Sequence, residues 1–215
     1  MTSARPHFQT LPPDSNPLPK SALNSLSCRR MTDISRAIDN DAPLRRRPAV
    51  FFDRDGTLIV DPGYVHRVED LVFVPGAMAA IKRLNDLGYY VFIAANQSGI
   101  ARGYFTERDV EALHAELQRR LRAAGAHVDD IRYCPHHPDG TVERYRGSSD
   151  WRKPRSGMLL DLMRCWPVDR EASFAVGDRD TDVAAGEAAG LRSLLFPGGN
   201  LDEFLAPHIA GRRMG

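Results

Sequence analysis

At 215 residues, 42% hydrophobic and 27% charged, the chain has the make-up of one globular domain carrying at most a tail. A formal net charge of +1 implies no general field for gathering nucleic acid or another polyanion. Cys28, Cys134 and Cys165 are too few for a disulfide framework, no apolar run is long enough to span a membrane, and the N-terminus lacks the apolar segment of a secretory signal; a soluble cytoplasmic protein is expected. Residues 1–45 interleave Pro6, Pro12, Pro13, Pro17 and Pro19 with Ser, Asn and Thr. Such a stretch buries too little apolar surface to offset its ordering entropy, so it is expected to be a disordered tail ahead of a domain over residues 46–215. Met31 offers a second start, and residues 1–30 are read as dispensable. The basic runs Arg29-Arg30 and Arg45-Arg46-Arg47 are read as solvated, the latter as the approach to the first strand.

From Ala49 the pattern alternates strand and helix. The apolar run 49–52 is a strand. Pro75-Gly76 opens a helix that runs through Leu84 and Leu87 and stops at Gly88. Residues 90–94 (Tyr-Val-Phe-Ile-Ala) are continuously apolar, as a strand covered on both faces requires. Thr106 and Asp109 have the spacing of a helix cap, and Val110, Leu113, Leu117 and Leu121 share one helical face. A short strand is expected at 131–134, a helix at 158–165, a strand at 174–176, a helix at 182–189 and a last strand at 194–196. Strands alternating with helices of this length predict an α/β fold, a doubly wound parallel sheet.

Asp53-Arg54-Asp55-Gly56-Thr57 closes the first strand. Residues two apart on extended chain point the same way, so two carboxylates sit together at a strand's carboxyl end, where open α/β sheets bind ligands. Two such acids need a cation between them, which suggests a divalent metal; one acid can attack phosphorus while the other handles protons. Gly177-Asp178-Arg179-Asp180-Thr181-Asp182 follows the 174–176 strand. Asp178 can therefore meet Asp53 and Asp55 at one sheet edge, offering an oxygen set suited to Mg²⁺, with Asp182 bracing it one helical turn on. Lys153, in Arg152-Lys153-Pro154, can offer a point charge to a phosphoryl group. The run Ala95-Asn96-Gln97-Ser98-Gly99-Ile100-Ala101-Arg102-Gly103 suits a loop whose N–H groups cradle an anion, with Arg102 able to fork onto a second phosphate or a hydroxyl.

In this order, Asp-Arg-Asp-Gly-Thr, Asn-Gln-Ser-Gly-Ile-Ala-Arg-Gly, Arg-Lys-Pro and Gly-Asp-x-x-x-Asp resemble the haloacid dehalogenase superfamily of phosphatases. Asp61-Pro62-Gly63-Tyr64-Val65-His66 and Cys134-Pro135-His136-His137-Pro138 make the chain similar to the D-glycero-D-manno-heptose 1,7-bisphosphate 7-phosphatases within it, over Val50 to about Pro197. The resemblance implies Asp53 as nucleophile and Asp55 as acid and base. It implies Mg²⁺ on Asp53, Asp178 and the Asp55 main-chain oxygen, and Lys153 as a second positive charge. Asp61, Gly63, Tyr64, Asn96, Gln97, Ser98, Arg152 and Arg179 fall at substrate-contacting positions. The expected protein is a monomer without a separate cap domain, acting on a small phosphorylated sugar that supplies surface glycans such as lipopolysaccharide, with no nucleic-acid or membrane partner.

Two positions depart from the pattern. Relatives carry Thr or Ser where this chain has Ala95, a lost hydroxyl on the phosphoryl group that leaves main-chain N–H groups or Ser98 to substitute. Many relatives also hold zinc with Cys-x-His and a later Cys-x-Cys. Here Cys134 and His136 remain while Ser149 and Trp151 occupy the later pair, so zinc is not expected and Trp151 is expected to plug the loop with Cys134 as a small buried hydrophobe. A histidinol-phosphate phosphatase shares the four motifs and is the alternative enzyme, with Gly63-Tyr64-Val65-His66 and Ile100-Ala101-Arg102-Gly103 against it. The alternative from another class is a catalytically weak binding protein on the same fold, motivated by Ala95. Polynucleotide end processing lacks a visible basic groove.

Overall fold

The structure, a computed structural model, describes residues 45–209. The expected N-terminal tail and the Arg29-Arg30 pair lie outside the described residues. Five strands form one wholly parallel sheet: β1 (Ala49–Phe52), β2 (Tyr90–Asn96), β3 (Asp130–Cys134), β4 (Phe174–Gly177) and β5 (Arg192–Leu195), in the order β3-β2-β1-β4-β5. Among the described residues six α-helices connect or flank them: α1 (Ala77–Asp86), α2 (Ser98–Ala101), α3 (Glu107–Ala123), α4 (Gly157–Cys165), α5 (Asp180–Ala188) and α6 (Leu201–Ile209). The order reverses beside β1, so the central strand ends at a switch point where the flanking connections diverge and leave a crevice.

The sheet is covered on both faces, as the continuous apolar strands require. On one face Val50, Phe52, Val91 and Ile93 pack with Leu113, Leu117 and Leu121 of α3 and Ile81 and Leu84 of α1. On the other, Ala49, Phe51 and Phe92 meet Met158, Leu159 and Leu162 of α4. The alternation of strand side chains, period two, is what splits one apolar run into two cores. Thr106 caps α3 as its spacing implies: its hydroxyl accepts from the Asp109 backbone N–H at 3.3 Å while Asp109 accepts from the Thr106 N–H at 2.7 Å.

Four expectations need correction. The last strand runs Arg192–Leu195, not 194–196: Phe196 lies beyond the pairing with β4, although its N–H still donates to the Gly177 carbonyl at 2.7 Å. The helix expected at 182–189 begins at Asp180, because the acidic first turn is itself helical. The 95–103 loop contains the short helix α2, and α6 was not foreseen at all. Finally, Arg47 is not a solvated approach residue: its Nε donates to the Gly88 carbonyl at 2.7 Å and its guanidinium lies 4.2 Å over the Tyr90 ring.

Candidate active site

The backbone N–H of Asp53 donates to the Val176 carbonyl at 2.9 Å, tying the carboxyl end of β1 to that of β4 and bringing Asp53 beside Asp178. Two glycines permit the approach. Gly56 turns the chain at φ +84°, and a Cβ there would lie 2.3 Å from the Asp178 Oδ2; a Cβ on Gly177 would lie 2.1 Å from the Asp182 Cβ. Ligand atoms of Asp53, Asp178 and Asp182 fall within 4.8 Å of one another. The Lys153 Nζ donates to Asp53 Oδ1 and pairs with Asp182 Oδ1, each at 2.6 Å, and Lys153 is buried. Asp182 does brace the site, since its other oxygen accepts from the Arg179 N–H at 3.1 Å.

Burial pushes the Asp53 carboxyl up to about 7, with Asp182 and Asp55 adding to the effect and Lys153 opposing it. Asp178 is raised by burial and by Asp182. Burial works against the charge on Lys153, but Asp53 and Asp182 outweigh it and hold its pKa above the usual lysine value. The Asp178 Oδ1 is buried without a hydrogen-bond partner. Three hard carboxylates, one of them with an orphaned buried oxygen, with Lys153 on two of them and the Arg179 guanidinium 3.7 Å from the third, fit a divalent cation such as Mg²⁺.

The Asp55 side chain is not part of that three-carboxylate cluster, contrary to the expectation that it would meet Asp178. Arg54, wholly buried, grips it with Nε on Oδ1 and Nη2 on Oδ2, both at 2.9 Å, and the Gln97 amide donates to Oδ2 at 2.7 Å. Asn96 clasps the Lys153 backbone, donating to its carbonyl at 3.1 Å and accepting from its N–H at 3.0 Å. Asn96 and Gln97 thus act on Lys153 and Asp55, two of the groups expected to do chemistry.

A cavity of about 260 Å³ opens above these residues and is lined by Asp53, Asp55, Asp61, Gly63, Tyr64, Asn96, Gln97, Ser98, Lys153 and Arg179, together with Gly99, Phe105, Thr181 and Asp182. Asp178 and Arg152 stand outside the lining. Asp61 accepts from the Gly63 N–H at 2.8 Å and faces Arg179 at 3.4 Å across the mouth. Tyr64, exposed and left-handed at φ 57°, meets Tyr104 edge-on at 4.9 Å. Arg152 belongs to a second group: it donates to the His136 carbonyl at 3.3 Å, Arg102 contacts His137 Nε2 at 3.3 Å, and burial together with the neighbouring guanidiniums depresses the pKa of both Arg152 and His137. Outside the cavity lining, Arg102, Arg152 and His137 form a separate basic group, called the rim below.

A family model described as HAD-hydrolase-like matches residues 150–210. The D-glycero-beta-D-manno-heptose-1,7-bisphosphate 7-phosphatase of Rhodopseudomonas palustris is 50% identical over 160 residues, covering 74% of this chain and 89% of that protein. The enzyme of the same name from Escherichia coli K12 is 44% identical over 142 residues, covering 66% of this chain and 74% of that protein. The crystal structure of the D,D-heptose 1,7-bisphosphate phosphatase from B. bronchiseptica, complexed with magnesium and phosphate, is similar at a TM-score of 0.64 and 35% identity, over 74% of this chain and 86% of that one. The chain belongs to the heptose 1,7-bisphosphate 7-phosphatase family of HAD-like hydrolases.

Within this phosphatase the two departures have clear surroundings. Ala95 is fully buried near the end of β2, while Ser98 lines the cavity at the start of α2. Cys134 is buried and its thiol is pushed up by burial, with the His136 N–H and the Ser149 hydroxyl beside the sulfur. Trp151 packs into the cluster that holds Cys134, as a plug should. Asp150 is exposed and paired with Arg155. The residues that sequence reading missed are Arg54 and His114. An arginine between two acids reads as solvent-facing, and a lone histidine on the apolar face of a helix reads as ordinary core; no local pattern separates those cases from these.

Proposed function

We propose that this phosphatase removes the 7-phosphate of D-glycero-D-manno-heptose 1,7-bisphosphate, as a cytoplasmic monomer whose chemistry resides in residues 46–215 and needs neither nucleic acid nor membrane. The observation that carries this reading is an acidic, lysine-bearing floor together with a separate basic group of Arg102, Arg152 and His137. A substrate with phosphates at both ends is matched by two cation-bearing ends. The names of the relatives from R. palustris and E. coli support the same substrate. Among the described residues, no helix is long and apolar enough to cross a membrane.

In this reading an Asp53 oxygen attacks phosphorus as the bond to the sugar oxygen breaks, giving an aspartyl-phosphate. Asp55 gives its proton to the departing oxygen, then takes one from the water that attacks the same phosphorus, and Asp53 is released with inorganic phosphate. Lys153 neutralises charge on the phosphoryl oxygens. Asp53, Asp178 and the main-chain oxygen of Asp55 would hold Mg²⁺, which would supply further positive charge there. Asn96 fixes Lys153 and Gln97 fixes Asp55. Asp61, Gly63, Tyr64, Ser98 and Arg179 meet the sugar, and Arg152 with Arg102 meets the 1-phosphate.

The test is phosphate release by purified protein, with and without Mg²⁺, on heptose 1,7-bisphosphate and on histidinol phosphate, with Asp53→Asn as control. Mg²⁺-dependent release from the heptose, lost in the control, is the expected result. A preference for histidinol phosphate would overturn the substrate assignment. A folded protein silent on both would make Ala95 the mark of a lost activity.

A further inference from the structure

We propose that His114 is a positioning residue for the acid–base step, acting through Arg54 on Asp55. The proposal rests on the role given above to Asp55. His114 lies on α3, buried beside Leu113 and Leu117, and its Nε2 is 3.1 Å from Arg54 Nη1. A guanidinium can only donate, so Nε2 is the acceptor and the ring proton is assigned to Nδ1.

The rest of the Arg54 fork is fully engaged. Beyond its two bonds to Asp55, Nη2 donates to the Val65 carbonyl at 3.0 Å and to Gln97 Oε1 at 3.1 Å. One side chain thus joins the acid–base carboxylate to the 61–66 loop, to the end of β2 and to α3. A wholly buried guanidinium is tolerable only if its N–H groups are satisfied. Val65, Gln97 and Asp55 all lie on the Nη2 and Nε edges. His114 is the partner on the Nη1 edge, so it fixes the tilt of the planar fork. Because the fork is rigid, that tilt decides where both Asp55 oxygens stand. Burial, with Arg54 adding, depresses the His114 ring to about 3, so its lone pair stays available at every working pH.

A misplaced acid matters most when the leaving group is a poor one. A sugar alkoxide must be protonated as it leaves, whereas p-nitrophenolate departs without help. In His114→Leu, checked for its fold by circular dichroism, kcat/KM on heptose 1,7-bisphosphate should fall about tenfold while kcat/KM on p-nitrophenyl phosphate stays within about twofold. His114→Gln, whose amide oxygen can accept from Nη1, should recover most of the loss. If the leucine variant does not fold, His114→Met carries the same prediction. An equal fall on both substrates, or no fall on either, would overturn the proposal. Should the wild type ignore the heptose, the substrate reading fails separately, and the same comparison is made with histidinol phosphate, also an alkyl ester.

Discussion

The acidic floor and the basic rim group are built by different means. Asp53, Asp178 and Lys153 are held by the ends of β1 and β4, by the clasp of Asn96 and by buried ion pairs. The rim is held by loop against loop: Val142 N–H donates to the Ala101 carbonyl at 2.9 Å, the Thr141 hydroxyl to the Arg102 carbonyl at 3.1 Å, and Arg146 to the Gly140 carbonyl at 2.8 Å. Carboxylates crowded around a reacting phosphorus must not move, so the ladder of a parallel sheet fixes them. A distal anion needs only a cation within reach, and loops suffice. If the proposed function holds, the strand-held end sets rate and the loop-held end sets substrate choice.

The sharpest way to break that division is Lys153→Met. It leaves Asp53 and Asp182 facing each other in a buried site, and removal of one partner of a buried pair costs about 3–5 kcal/mol of stability. The rate should fall by about a hundredfold or more, as when a charge-stabilising donor is removed, and added Mg²⁺ should recover melting temperature far more than activity. At the rim, Arg102→Ala and Arg152→Ala should each raise KM for the bisphosphate by roughly ten- to a hundredfold, from loss of a charged hydrogen bond, with kcat/KM on p-nitrophenyl phosphate unchanged. An equal loss of turnover on both substrates would merge the two regions into one.

Titration separates them in another way. Burial lifts Asp53 from its ordinary 3.8 to about 7, so the stabilisation from its bound proton is full below about 4 and lost as pH rises through about 7. Asp53→Asn should therefore melt higher than wild type at pH 8 and alike at pH 4, with Mg²⁺ closing the gap at pH 8. His114 has the opposite sign: its folded value of about 3 lies below its ordinary 6.5, so its contribution is full above 6.5 and lost as pH falls towards 3. The smallest effect concerns Ala95. Ala95→Ser restores a hydroxyl at the end of β2 and should raise kcat/KM by about tenfold at most; no gain would show that Ser98 and main-chain donors already fill that role.

The floor was legible because its determinants are local. Apolar runs of strand length ending in Asp-x-Asp and Gly-Asp mark both acid clusters, and a parallel sheet puts such ends on one edge whatever the intervening chain does. Thr106 and Asp109 likewise fall within one helical turn. The rim was only half legible: Arg102 and Arg152 were singled out separately, but their meeting with His137 depends on how loops fold back, which no period in the sequence encodes. Arg54 and His114 are 60 residues apart and meet only through packing of α3 on the sheet. The sequence reading places no element after the last strand, and Pro207 lies within α6 near its end. The last strand was placed late because its apolar residues continue past the pairing with β4.

The most direct test of the account is the ³¹P NMR spectrum of heptose 1,7-bisphosphate during turnover. The account predicts that the resonance of the C7 phosphate, coupled to a methylene, is replaced by inorganic phosphate while the anomeric phosphate remains. Loss of the anomeric resonance first, or loss of both at equal rates, would contradict a floor that cleaves and a rim that only holds.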